Sequence, residues 1–211
     1  MKIKRRYKLI LIILFAVILI ISFYFILNKK KEVISLSIGD YISMNKMNYF
    51  YNKTYDNLYS KDVICKEIKE PYLTSDKLLE KITNNEDNIQ FYIKNANFIN
   101  INVGNYELNN YKELNEEITI EYLNNIYDIL YQITKITKIN KTNINLINIY
   151  DDKGDFKLIN KKLSKYSKKF KINYIDLNKL DKSNFTYFDD KVYINSKGMY
   201  KINEILTKNS W

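Results

Sequence analysis

The stretch SLSIGDYISMN, residues 35–45, decides how the chain is read. Ile34, Leu36 and Ile38 alternate with Ser35 and Ser37, a period of two that predicts a β-strand. Gly39-Asp40 then closes that strand in a turn. The same design recurs in FININVG (98–104), where Ile99, Ile101 and Val103 alternate with Asn100 and Asn102 before Gly104. NINLINIY (143–150) and INYIDL (172–177) predict two further strands.

Helical periods fill the intervals. TSDKLLEKITNN (74–85) opens on capping residues and places Leu78, Leu79 and Ile82 on one face. Leu123, Ile126, Leu130 and Ile133 follow helical spacing within 116–137, as do Ile159, Leu163, Tyr166 and Phe170. A last helix runs from about Lys197, with Ile202, Ile205 and Leu206 together. Strands separated by helices of this length imply βαβ crossovers and a parallel sheet covered on both sides. Ligands of such sheets bind at the carboxyl ends of the strands. GDY (39–41) and GNYEL (104–108) therefore fall on the edge that matters, as if after the first and second strands.

Charge sorts the possible partners. The 211 residues carry a net +10. Lys2, Lys4, Arg5, Arg6, Lys8 and Lys29–Lys31 against the single Glu32 put +7 in residues 1–32, which leaves +3 for residues 33–211. The basicity flanks an apolar run, and no nucleic-acid partner is expected. That run, LILIILFAVILIISFYFIL (9–27), has no charge; at about 1.5 Å per residue it approaches the roughly 30 Å of a bilayer core. The FYFILNKKK that ends it lacks the small residues of a cleavage site. The sequence predicts a basic cytoplasmic tail (1–8), a single-pass transmembrane signal-anchor (9–27), a linker (28–32) and an extracytoplasmic domain (33–211). Cys65 is the only cysteine and histidine is absent, so no intramolecular disulfide, multi-cysteine metal site or imidazole base is available. No metal and no cofactor are expected.

With these elements in order, the chain resembles the GDSL, or SGNH, hydrolase family, most closely its membrane-anchored or secreted Gram-positive members. The resemblance covers nearly all of residues 33–207. It implies a three-layer α/β/α sandwich of flavodoxin-like type and the hydrolysis of esters, including lipid and acetylated-carbohydrate esters. The family's first block, Leu-Gly-Asp-Ser, reads Ile38-Gly39-Asp40-Tyr41 here. Its third, Ile-Gly-x-Asn-Asp, matches Val103-Gly104-Asn105, with Tyr106 at the Asn position and Glu107 at the Asp position. Its last, Asp-x-x-His-Pro-Asn-x-x-Gly, gives Asp190, Tyr193 at the His position, Asn195 and Gly198. The second block needs a glycine, and none lies between Gly39 and Gly104.

Carried over, the resemblance implies that Tyr41, Tyr106 and Tyr193 replace nucleophile, oxyanion donor and base, with Asp190 the retained acid. Losing one oxyanion donor alone costs about 3 kcal/mol, and a phenol with an ordinary pKa near 10 is no base at neutral pH. Shifting the alignment by one would make Asn105 the oxyanion amide without restoring the serine or histidine. Ser37 and Ser43 are the nearest alternative hydroxyls. The expectation is an inactive relative that binds an envelope glycan, lipid or protein through Asp40, Tyr41, Gly104, Asn105, Tyr106, Asp190 and Tyr193. The alternative is a divergent extracytoplasmic esterase or acetyl-hydrolase. Whether the tyrosines line an open cleft or fill it stays open at this level.

Overall fold

A computed structural model describes residues 7, 13–22, 33–40, 63–70, 72–109, 114–137, 142–151, 153–188 and 191–208. The chain divides into two compact units, Met1–Glu32 and Val33–Trp211. In the first, residues 13–22 are helical. Among the described residues no helix is long and apolar enough to cross a membrane; positions 9–12 and 23–27 of the expected anchor lie outside them.

The second unit is built on a five-stranded sheet. Its strands are β1 (Val33–Asp40), β2 (Val63–Glu70), β3 (Phe98–Asn102), β4 (Asn143–Ile147) and β5 (Asn173–Ile175), in the spatial order β2-β1-β3-β4-β5. Every pairing is parallel. The helices are α1 (Ser75–Asn84), α2 (Ile89–Asn95), α3 (Asn105–Asn109), α4 (Glu116–Ile136), α5 (Lys157–Phe170) and α6 (Ser196–Lys208). A hairpin of β6 (Phe185–Phe188) and β7 (Lys191–Ile194) precedes α6.

The expected strands all form, with one correction. VICKEIKE is also a strand, β2, so GNYEL follows the third strand rather than the second. Among the described residues β2 pairs only with β1, at the sheet edge, and its charged side chains blur the apolar pattern. Gly39 and Asp40, expected in a turn, are the last two residues of β1; because the sheet is parallel, they and the Gly104 turn keep their place on the carboxyl edge.

Two cores give the three layers. Leu36, Ile38, Ile99, Ile101, Ile144 and Leu146 point to one face and pack with Leu78, Ile82, Ile126, Ile133 and Leu163 of the helices. On the opposite face, Val33, Phe98, Ile147 and Ile175 pack with Phe185, Met199, Ile202 and Leu206. Burial of these side chains on both sides is what makes the sheet an interior layer, each worth about 1.5–3 kcal/mol in transfer terms.

The middle of that second face is polar. Register aligns Ser37, Asn100, Asn145 and Asn173 in one row across four strands. Asn145 Nδ2 donates to Asn100 Oδ1 (2.9 Å) and Asn173 Nδ2 to Asn145 Oδ1 (3.0 Å). Ser37, Asn100 and Asn145 are all buried. The Ile–Asn alternation is thus a choice between two interior faces, not between core and water.

Candidate functional site

From β1 the chain passes to β2 on one side and then to β3 on the other, so strand order reverses between β1 and β3. The crevice at their carboxyl ends is where an open α/β sheet takes its ligand. Asp40 ends β1 there and is fully buried. Its Oδ2 accepts the Tyr106 N–H at 3.0 Å, joining the end of β1 to the first turn after β3. The end of β1 is therefore held from across the crevice.

Gly104 makes that turn possible. Its φ of +112° lies where side chains are strained, and a Cβ would stand 2.6 Å from the Tyr122 ring. Tyr122 is wholly buried beneath it and donates its hydroxyl proton to the Val103 carbonyl at 2.9 Å. Burial, with Glu107 and Asp40 nearby, raises its phenol pKa well above the ordinary value.

Asn105 points inward. Its Nδ2 donates to Asn102 Oδ1 (2.9 Å), and Asn102 Nδ2 donates in turn to the carbonyls of Ile147 (3.3 Å) and Asn148 (3.1 Å). The amide that the shifted alignment would offer to an oxyanion is engaged in tying β3 to β4. Glu107 turns the other way, to α1. Its Oε2 accepts the Ser75 N–H (2.7 Å) and its Oε1 the Ser75 hydroxyl (2.9 Å), while Asn125 Nδ2 donates to Ser75 Oγ (3.2 Å). Burial raises the Glu107 pKa; the bonds from Ser75 oppose the rise, and Asp76 and Glu121 add to it. Ser75 is fully buried and bonded on both sides, a helix-end strut rather than a nucleophile.

Aromatic surface is what faces outward. The Tyr106 ring meets Tyr72 edge to face, with centroids 4.8 Å apart and planes at 62°. Tyr72 is exposed and Tyr106 half-buried. Tyr72 follows the carboxyl end of β2, the stretch in which the resemblance calls for a glycine. The sequence reading missed Tyr72 and Ser75 because it did not recognise β2, whose end brings them to this edge.

Of the expected site residues, Asp40, Gly104, Asn105 and Tyr106 come together. Tyr193 lies in β7, paired with Thr186 in the separate two-stranded sheet. Tyr41, Asp190 and Ser43 lie outside the described residues, and Ser37 belongs to the buried polar row. The last block keeps its framework. Asn195 Oδ1 accepts the N–H groups of Lys197 and Gly198, both at 3.0 Å, as a cap for α6. A Cβ on Gly198 would lie 2.3 Å from the Asn184 carbonyl oxygen, so α6 can approach that turn only over glycine.

A second concavity, of about 370 Å³, opens at the carboxyl ends of β4 and β5 between Asp151, Asn160, Lys161, Tyr174 and Asp176. Asp151 accepts the Gly154 and Phe156 N–H groups, and Asp176 accepts from Asn148 Nδ2 and the Asn178 N–H. Burial, then Asp176, pushes the Tyr174 phenol up to about 12. Among the described residues no group of three or more acidic or sulfur side chains is placed to hold a metal ion.

No family model matches the sequence, and no curated protein is similar to it. Solved structures do match. A lipase from a goat rumen metagenome superposes with a TM-score of 0.64 at 20% identity, over 84% of this chain and 97% of its own. An acetyl xylan esterase gives 0.60 at 10% identity, over 83% and 98%. A protein from Slackia heliotrinireducens assigned to the SGNH hydrolases gives 0.53 at 8% identity, over 85% and 99%. Over 83–85% of its length the chain has the fold of these structures, which is that of an SGNH hydrolase, a lipase and an acetyl xylan esterase.

Proposed function

We propose that residues 33–211 are a binding domain on an ester-hydrolase scaffold that has lost ester hydrolysis, and that residues 9–27 hold it outside a membrane with residues 1–8 in the cytoplasm. The observation that carries this reading is the direction of the polar groups at the β1/β3 crevice. Asp40 is bonded to the Tyr106 N–H, Asn105 to Asn102 and Glu107 to Ser75, while Tyr72 and Tyr106 present the rings. A triad mechanism needs a nucleophile, a base and free donors toward the oxyanion. The chain has no histidine, and tyrosine stands at all three replaced positions.

Tyrosine faces with hydroxyl rims suit a glycan or an acyl chain of the cell envelope, or a protein surface. Tyr41, Asp190 and Tyr193 are proposed to complete the surface begun by Tyr72 and Tyr106. The purified protein is expected to leave aryl esters and acetylated glycans intact. Turnover abolished by one crevice substitution would instead establish the divergent esterase. Binding to isolated envelope fractions should weaken on Tyr72→Ala plus Tyr106→Ala with no change in melting temperature. For the topology, protease added to intact cells should digest residues 33–211; protection until lysis would reverse the orientation.

A further inference from the structure

Helix α5 differs in charge from every other long helix of the unit. Lys157, Lys161, Lys162, Lys165, Lys168 and Lys169 are its charged residues, and it holds no acid. The other three mix signs: Asp76 with Lys81 in α1, Glu116 and Glu117 with Lys135 in α4, and Glu204 with Lys201 and Lys208 in α6. Residues 33–211 net only +3, so six positive charges on one helix leave the remainder of the unit net acidic.

The six lysines also share a side. At about 3.6 residues per turn they fall within an arc of about 140° on a helix about 21 Å long. Ile159 and Leu163 occupy the opposite side, buried in the core, so the lysine face is the outward one. All six are exposed. Among the described residues none of them forms an ion pair; Lys169 alone engages a neighbour, reaching the Tyr127 hydroxyl at 2.5 Å. Lys157–Lys161, Lys161–Lys165 and Lys165–Lys169 are like-charge pairs one turn apart, which weaken a helix unless an anion lies against them. Leu158 sits in the middle of the arc and, at 74% exposure, is the most exposed large apolar side chain described in this unit.

We propose that this face docks on an anionic phospholipid surface, with the lysine heads at the phosphates and Leu158 entering the headgroup layer. Charge alone would also suit a phosphate polymer or a nucleic acid. An exposed leucine among lysines gains an apolar phase only at a bilayer, where lysine stems extend around it. Within α5 no aromatic ring stands in the arc to stack a base, and the ring beside it, Tyr127 of α4, is half-buried and covered by Lys169, whose Nζ lies 4.5 Å from its centroid. The inference does not depend on the anchoring of residues 9–27.

The test uses residues 33–211. Among the described residues both cores and every sheet strand lie in this span, and independent proteins match 83–84% of the chain over nearly their whole length. The fragment should co-sediment with phosphatidylcholine vesicles containing about a third phosphatidylglycerol, should stay free of pure phosphatidylcholine, and should be released by salt. Lys161→Gln, Lys165→Gln and Lys168→Gln combined should lower vesicle affinity about 100-fold, near fivefold for each charge, with an unaltered melting temperature. Leu158→Gln should lower it further with every charge kept. Equal binding to both kinds of vesicle, or undiminished binding by the triple variant, would overturn the proposal. So would displacement from vesicles by a glycerol-phosphate polymer or an RNA oligonucleotide at equal phosphate, with Leu158→Gln neutral.

Discussion

Gly104 and Glu107 sit three residues apart and hold the crevice in different ways. Gly104→Ala forces a Cβ to 2.6 Å from the Tyr122 ring at a φ of +112°, and Tyr122 is fully buried with no room to retreat. The variant should lose about 2–4 kcal/mol of stability in urea denaturation, the sum of backbone strain and overpacking. Glu107 is a question of pH. Its folded pKa is raised above the ordinary 4.5, chiefly by burial, so the folded state holds the proton more tightly than the unfolded one. Its stability contribution is complete below the ordinary value, declines as pH rises through the raised folded value, and is constant above it. Glu107→Gln should flatten that decline when melting temperature is followed upward from acid. A curve of unchanged slope would mean that another group titrates.

At the scale of elements, the asparagine row is the joint that fixes β3, β4 and β5 side by side. Asn145 is its centre, donating to Asn100 and accepting from Asn173 while fully buried. Asn145→Ala removes both of these bonds, although Asn173 Nδ2 keeps its bond to Asn143 Oδ1 (2.7 Å), and should cost about 1–3 kcal/mol. Chemical denaturation measures it. Asn100→Asp should be worse, because a carboxylate there faces a dry layer. β1, β3 and β4 were legible because isoleucine or leucine recurs every second residue against serine or asparagine, and β5 because Ile172 and Tyr174 flank Asn173 in the same way. The destination of the asparagines was not legible, since alternation records two faces without saying that both are interior. β2 escaped for another reason: Ile64 and Ile68 are also one helical turn apart, and the charges between them suit an exposed helix as well as an edge strand. With β2 went Tyr72 and Ser75, residues whose place at the site follows only from where that strand ends.

For the whole molecule, the alternation of strand-like and helix-like segments sufficed to predict the layered α/β architecture, and the superpositions agree with it. The partners of Asp40, Asn105 and Glu107 were beyond the sequence. Each lies across the crevice or on a neighbouring strand, at a distance along the chain set by the fold alone. The division at Glu32 makes a further expectation. Removing residues 1–32 should leave one cooperative thermal transition unchanged in midpoint, because the described residues of both cores come from Val33 onward. The amide row has a consequence beyond stability. Parallel, in-register strands carrying stacked asparagines are also the arrangement of amyloid cross-β assemblies. Here α6 packs on the same face as that row, through Met199, Ile202 and Leu206. A chain truncated before Ser196 should lose the cover that Met199, Ile202 and Leu206 give this face, become more open to stacking from one molecule to the next, and grow thioflavin-positive fibrils that the intact protein does not.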